Sequence, residues 1–253
     1  MSGPGGAAPA AAHVFVDPTE LAAPAIPLAP DDAHHLVRVL RLRDGDPVTA
    51  ADGQGSWRPA RLRLAPGTDP VLEAEAPVVL EAPPRPELVV AVALPKGDRG
   101  DWAVQKLTEV GIDVIVPLVA ERSVVRWSAE RAGRGLDRLN RVARAAAMQS
   151  RRPRLPRIAA PAAAAEIVAA HPAEVAAADA GGGPPALARP VVLVGPEGGW
   201  APGDLPDGLP RVGLGPTTLR TETAAVVAGA ALALLRAGLV TQAPSGGFPE
   251  TSL

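Results

Sequence analysis

Two short segments of this chain carry residue types that could do chemistry. One is Val191-Val-Leu-Val-Gly-Pro-Glu-Gly-Gly199; the other is Leu214-Gly-Pro-Thr-Thr-Leu-Arg-Thr-Glu-Thr-Ala224. Each reads as an apolar strand ending in a Gly-Pro turn. The first delivers Glu197, Gly198 and Gly199, and the second delivers Leu219, Arg220, Thr221 and Glu222. As neighbours in an open α/β sheet, these strands would frame a crevice at their carboxyl edge, where such sheets bind ligands. Glycine lets main-chain groups approach a ligand with no Cβ in the way. The expectation is a pocket built largely from backbone, with Arg220 and one or two carboxylates at its rim. Taken alone, the first turn also fits a tight strand-to-helix connection. An isolated Arg-Thr-Glu fits a helix cap with a surface ion pair better than a site, and only its place after Leu214-Gly-Pro reverses that. No Gly-Lys-Ser/Thr follows the first turn, and Gly213-Leu-Gly215 lacks the third glycine of a dinucleotide fingerprint. That argues against ATP and NAD and leaves an adenosyl ligand gripped by main-chain groups.

The elements that must position these turns can be read from pattern. From 13 to 82 the chain has short strands at His13–Val16, Pro47–Ala51, Trp57–Leu64 and Val71–Ala76, and a short helix from Asp31 to Leu40 with Asp31 or Asp32 as N-cap. A small β-barrel fits this stretch, and Pro83-Pro-Arg-Pro86 marks a stiff linker. From 86 to 240 strands and helices alternate, which indicates a mainly parallel sheet. Leu88–Leu94 is a near-continuous apolar strand. Asp101 is placed to cap the next helix, and Gly111 to end it. Residues 129–150 form a long helix whose arginines at 131, 134, 138, 141 and 144 share one face. A helix over 221–238, with Thr221 and Glu222 at its start, is apolar almost all round and should be buried on more than one side. The Gly-, Pro- and Ala-rich tails, 1–12 and 242–253, read as disordered.

Composition narrows the function classes. The 253 residues include no Cys, and no His-Glu-x-x-His pattern occurs, so there is no case for a metal site. The amino terminus lacks the basic and apolar regions of a signal peptide, and the apolar run Ala224–Leu235 is shorter than a membrane span. A cytoplasmic location is expected. Net charge is −2, so any nucleic-acid binding must come from local patches. Between 138 and 157 there are seven Arg and no Asp or Glu. This stretch fits a solvated helix face, but Arg151, Arg152 and Arg154 in a Pro-stiffened loop suit bidentate phosphate contacts. Arg38, Arg41 and Arg43 form a second cluster, and Arg61 with Arg63 a third.

The two glycine turns also carry a resemblance. Gly195-Pro-Glu-Gly-Gly199 followed by Leu214-Gly-Pro-x-x-Leu-Arg-Thr-Glu-Thr223 resembles the RsmE family of ribosomal RNA uridine N3-methyltransferases, members of the SPOUT superfamily. His35-Leu-Val-Arg-Val-Leu-Arg41 with Asp44-Gly-Asp46, Leu94-Pro-Lys-Gly97, Gln105–Gly111 and Pro117–Ser123 extend it in the right order over most of the chain. The resemblance implies a trefoil-knotted, mainly parallel sheet domain behind a small PUA-like barrel. It implies a homodimer acting on small-subunit (16S) ribosomal RNA or the assembled subunit, with S-adenosylmethionine as methyl donor. It assigns cofactor binding to Gly195, Pro196, Glu197, Gly198, Gly199, Leu214, Gly215, Leu219, Arg220 and Thr223. Arg220 would then stabilise the uracil anion, while Glu222 takes the proton or orients Arg220. The rival reading is a catalytically silent RNA-binding or assembly factor on the same scaffold; a SPOUT enzyme acting on transfer RNA is a third. The chain departs from the family pattern at Val14, Met148, Pro153 and Thr217, which bears on RNA docking and leaves the cofactor turns intact.

Overall fold

The computed structural model describes residues 10–125, 127 and 129–241. Most of both expected disordered tails lies outside these residues. The chain divides into two compact units, Met1–Pro84 with Ala143–Leu155, and Arg85–Val142 with Pro156–Leu253. Residues 143–155 therefore pack with the first unit, although chain order had placed them with the second.

The first unit is a six-stranded sheet in the order β1-β3-β4-β5-β2, with β6 paired to β4. Its strands are β1 (Ala12–Phe15), β2 (Ala25–Pro27), β3 (Pro47–Ala51), β4 (Ser56–Arg63), β5 (Val71–Ala74) and β6 (Val79–Leu80). Ala12 is thus strand, not tail. The alternation in β4 works as expected. Ala60 and Leu62 are fully buried with Val14, Ile26, Leu36 and Leu72. Arg61 and Arg63 point outward, and each meets a glutamate of the neighbouring segment, Glu75 at 2.5 Å and Glu73 at 2.7 Å. Facing charges of opposite sign support a strand pair, so this third arginine cluster is spent on the sheet.

The helix expected over 31–40 is α1 (Pro30–His34) running into a π-helical turn, His35–Val39. Its N-cap is Ala29 with Pro30 behind it, and no side chain caps it. Asp32 is instead buried, and its carboxylate accepts both terminal nitrogens of Arg144, at 3.0 and 2.8 Å. Arg144 also donates to the Phe15 carbonyl and lies 5.6 Å above the Phe15 ring. Burial drives the aspartate to this partner, because an unpaired charge away from water is costly.

The second unit is built on a seven-stranded, all-parallel sheet in the order β10-β8-β7-β12-β11-β13, with β9 paired to β8. The strands are β7 (Val89–Val92), β8 (Val114–Val119), β9 (Arg157–Ile158), β10 (Ala162–Ala163), β11 (Val175–Gly183), β12 (Val191–Val194) and β13 (Arg211–Val212). The apolar runs of β7 and β12 are buried along their whole length, as both-face coverage requires. The helices are α2 (Asp98–Val110), α3 (Ala129–Gln149), α4 (Ala164–Ala170) and α5 (Thr221–Arg236), with α3 entering the first unit at Ala143. Gly97 is the N-cap of α2, and Asp101 turns away to pair with Arg138. Gly111 closes α2 in the left-handed conformation, at φ 99°. Helix α5 packs on α2 through Gly229, where a Cβ would meet Leu107 at 2.9 Å. Its far end is fastened by Arg236, which pairs with Asp113 and donates to the Gly111 carbonyl. One expectation fails outright: β12 and β13 are not neighbours, because β11 lies between them.

Asp32 and Arg144 make a stability prediction. Arg144→Ala should cost the first unit about 2–3 kcal/mol, since it strands a buried charge. Asp32→Ala should cost less, because the half-exposed guanidinium can turn to water. Hydrogen exchange of the β1 and β3 amides reads both, and equal costs would contradict the asymmetry.

Candidate functional site

The carboxyl edge of the second sheet holds a cavity of about 320 Å³. That is enough for a small organic ligand. Three turns wall it. The turn after β12 supplies Gly195, Pro196, Glu197, Gly199 and Trp200. The turn after β13 supplies Leu214, Gly215, Pro216, Thr217, Thr218 and Leu219, and the start of α5 adds Thr221 and Ala224. The third wall is β11, through Ala178, Asp179 and Ala180. Sequence reasoning missed β11 because it assumed that β12 and β13 were adjacent. The signal was Gly181-Gly-Gly183 beside Asp179, a third glycine-rich segment at a strand end.

Absent side chains shape this wall. A Cβ on Gly195 would sit 2.9 Å from the Trp200 ring, so glycine there lets the indole close over the turn. The indole N–H then donates to the Ala178 carbonyl of β11 at 3.4 Å. Gly182 and Gly213 let β11 and β13 touch backbone to backbone; a Cβ on Gly182 would lie 2.4 Å from Val212. Gly215 holds φ +136°, a conformation L side chains rarely adopt.

Two polar anchors fix the first turn. The Thr221 hydroxyl donates to the Gly195 carbonyl at 3.1 Å, tying α5 to β12. Arg122 donates to the Gly198 carbonyl at 2.8 Å. Thr221 is therefore not the cap of α5; the N-cap residue is Arg220, and no side chain caps the helix.

Of the expected site residues, Gly195, Pro196, Glu197, Gly199, Leu214, Gly215 and Leu219 line the cavity. Gly198, Arg220, Glu222 and Thr223 lie off its wall. Gly198 faces Arg122, and Arg220 is exposed. Glu222 is buried in the first turn of α5. Its Oε1 lies 3.7 Å from Arg99 of α2, and its Oε2 is buried with no hydrogen-bond partner. The same Arg99 nitrogen lies 3.4 Å from Glu197. Asp179 is a further wall carboxylate, 3.6 Å from Arg211.

The candidate RNA arginines all fall in the first unit. Arg38, Arg41, Arg43 and Arg151 are exposed. Arg154 is committed internally: it donates to the Glu81 carbonyl at 2.9 Å and lies where a Cβ on Gly55 would be. Arg152 is partly buried; burial lowers the His13 pKa to about 4, and the nearby Arg151 charge adds to this. Arg41 and Arg151 share one peculiarity. Both hold a positive φ, 56° and 58°, without being glycine. Backbone strain of this kind gathers at functional sites. Among the described residues no cluster of three or more His, Asp or Glu could hold a metal ion, and no helix is long and apolar enough to cross a membrane.

A family model described as RNA methyltransferase domain matches residues 82–233, and one described as RNA methyltransferase PUA domain matches residues 28–68. The chain is 36% identical over 230 residues to Ribosomal RNA small subunit methyltransferase E of Mycobacterium tuberculosis, spanning 81% of this chain and 84% of that one. It is 33% identical over 235 residues to the protein of the same name from Synechocystis, spanning 85% and 75%. Among solved structures it is similar to a Ribosomal RNA small subunit methyltransferase E from Neisseria gonorrhoeae bound to S-adenosyl methionine. That match has a TM-score of 0.74 and 26% identity, over 88% of this chain and 97% of the other. A probable rRNA-methyltransferase from Porphyromonas gingivalis matches with a TM-score of 0.71 and 29% identity, over 89% and 99%.

The Arg122 anchor can be tested directly. Arg122→Ala should loosen the turn by about 1 kcal/mol, or roughly fivefold faster amide exchange at Gly199 and Trp200. Unchanged exchange there would mean that Thr221 alone holds the turn.

Proposed function

The chain belongs to the ribosomal RNA small subunit methyltransferase E family, and on that premise we propose that it methylates N3 of one uridine in 16S ribosomal RNA. It is an S-adenosylmethionine-dependent methyltransferase of SPOUT-like fold with an amino-terminal PUA domain. The observation that carries the reading is the cavity walled by glycine-bearing main chain at a parallel sheet's carboxyl edge. Main-chain groups suit the edge of an adenine, and the two wall carboxylates, Asp179 and Glu197, suit ribose hydroxyls and a sulfonium charge. S-adenosylmethionine supplies an activated methyl group, so no side chain need act as nucleophile. The chain's task is to bring donor and acceptor into line and to manage the N3 proton. In this reading Glu222 takes that proton or orients Arg220. The Arg220 guanidinium, which has no hydrogen-bond or ion-pair partner among the described residues, stabilises the uracil anion.

The reading gives the first unit the RNA and the second the chemistry. Arg38, Arg41, Arg43 and Arg151 contact phosphates, which exposed guanidinium groups do well. Arg152 and Arg154 serve the fold of the loop that presents Arg151. The reading also includes the trefoil knot, work in the cytoplasm on ribosomal RNA or the small subunit, and a homodimer. Exposed Leu234, Leu239 and Val240 at the end of α5 support the homodimer.

Two measurements test this. Small-subunit RNA from a deletion strain should lack N3-methyluridine by nucleoside mass spectrometry, and the wild-type chain should restore it; an unchanged signal overturns the assignment. In calorimetry with S-adenosylmethionine, Gly195→Ala and Gly215→Ala should each weaken binding about tenfold, a loss of about 1.4 kcal/mol. Gly198→Ala should stay within about twofold, because its Cβ would only touch Arg122, at 3.4 Å.

A further inference from the structure

We propose that segment 38–43 of the first unit holds an unpaired stretch of RNA, with Val39 and Leu40 against the face of an exposed base and Arg38, Arg41 and Arg43 on the phosphates beside it. This rests on the RNA-binding role given to those arginines above. The observation behind it is an apolar side chain turned out of a core. Leu36 and Leu40 are four residues apart, so in an α-helix both would lie on the buried face. Here the chain runs through the π-helical turn His35–Val39, and the Leu40 amide donates to the His35 carbonyl, five residues back, at 2.9 Å. The wider turn swings Leu40 outward. Leu36 is fully buried, whereas Leu40 is 44% exposed and Val39 58%. Turns of this kind are rare and gather at functional sites.

The surroundings leave the apolar pair and the arginines to a ligand. Leu36, Val37 and Leu42 pack on the core of the first unit. The outward residues of the segment are Arg38, Val39, Leu40, Arg41 and Arg43. The nearby carboxylates are taken. Asp44 accepts the Leu64 amide at 2.8 Å and lies 3.8 Å from Arg63. Asp46 accepts the Arg43 amide at 2.7 Å, and Asp32 pairs with Arg144. Asp31 sits in the first turn of α1, at the other end of the helix. Among the described residues, none makes a side-chain hydrogen bond or ion pair with the guanidinium of Arg38, Arg41 or Arg43. The Gly45 amide donates to the Leu62 carbonyl at 2.8 Å, so the loop that carries Arg41 and Arg43 is pinned to β4.

Apolar side chains flanked by uncompensated cations fit one partner best. Base-paired RNA stacks its bases away and offers phosphates and 2′-hydroxyls, which give Val39 and Leu40 nothing to cover. An unpaired base offers an apolar face next to its phosphates, and contact with it takes both side chains out of water. A second copy of this chain would bring the same three cations to the contact, and like charges oppose that. The two kinds of residue therefore divide the work. The arginines supply affinity for any RNA, and the apolar pair supplies the preference for an unpaired one.

The test uses the full chain and two probes, an unstructured single-stranded RNA and a perfect RNA duplex of equal length. Both are titrated by fluorescence anisotropy at several salt concentrations. The wild type should bind the single strand about tenfold more tightly. Val39→Thr with Leu40→Gln keeps side-chain size and removes apolar character. It should weaken single-strand binding about tenfold and leave duplex binding and both salt slopes unchanged, because an apolar contact releases no counterion. Arg38→Ala should instead weaken both probes and flatten the single-strand slope by about 0.7 in log–log terms. Thermal melting checks the fold, and Leu40→Ala, a milder change, should show a smaller loss of the same kind. Equal wild-type affinity for the two probes overturns the inference, and so does a double variant that binds the single strand normally or loses both probes alike. A wild type that sediments as a larger species than the double variant means that a second copy covers the pair, which also overturns it. Failure to bind either RNA overturns the role of the arginines as well, whereas normal salt slopes without a single-strand preference overturn only the part given to Val39 and Leu40.

Discussion

The site depends on close approach of main chain to main chain. Gly195 must lack a Cβ for Trp200 to close over it, and Gly182 and Gly213 must lack one for β11 to meet β13. These three positions bring β11 into one wall with the turns after β12 and β13. The polar anchors act on carbonyls that this packing exposes. Thr221 takes the carbonyl of Gly195 and Arg122 that of Gly198. The carboxylates Asp179 and Glu197 are then mounted on a backbone frame that side-chain rotamers do not control.

Much of this was legible in the sequence, and the failures have a common cause. Strand and helix positions followed from periodicity, because burial of one face or of both leaves a local signature. Strand order leaves none. The two glycine turns are close in sequence, yet β11 enters between their strands, and it took Ala178, Asp179 and Ala180 out of view. Helix caps failed in the same way. Asp32, Asp101 and Thr221 all stand where a cap residue should, and each is used at long range instead, on Arg144, Arg138 and the Gly195 carbonyl. Local preference identifies a side chain able to bond near a helix start. It cannot say whether a distant partner competes for it.

The arginines show that competition most clearly. Counted along the chain they suggest three basic patches. In the structure Arg61, Arg63, Arg138, Arg144 and Arg154 are engaged with glutamates, aspartates or carbonyls of their own unit. Arg99 and Arg122, which belong to no sequence cluster, meet the turn after β12, at Glu197 and at the Gly198 carbonyl. What separates the two kinds is the presence of an acceptor within reach after folding, a tertiary fact that no run of charge encodes.

This sorting also decides how a chain of net charge −2 can hold RNA. At physiological salt, exposed charges act over only about 8 Å. A global field is therefore irrelevant, and what counts is the number of cations left uncompensated within a small patch. Arginines already neutralised by Glu73, Glu75 or Asp32 contribute almost nothing to that number. Arg38, Arg41, Arg43 and Arg151 are exposed, and they are the ones proposed to contribute. Two of them, Arg41 and Arg151, sit on backbone that only a few per cent of non-glycine residues adopt. A loop relaxed for stability alone would place glycine or asparagine there. Left-handed backbone at non-glycine residues gathers at functional sites, in keeping with the phosphate contacts proposed for these two arginines.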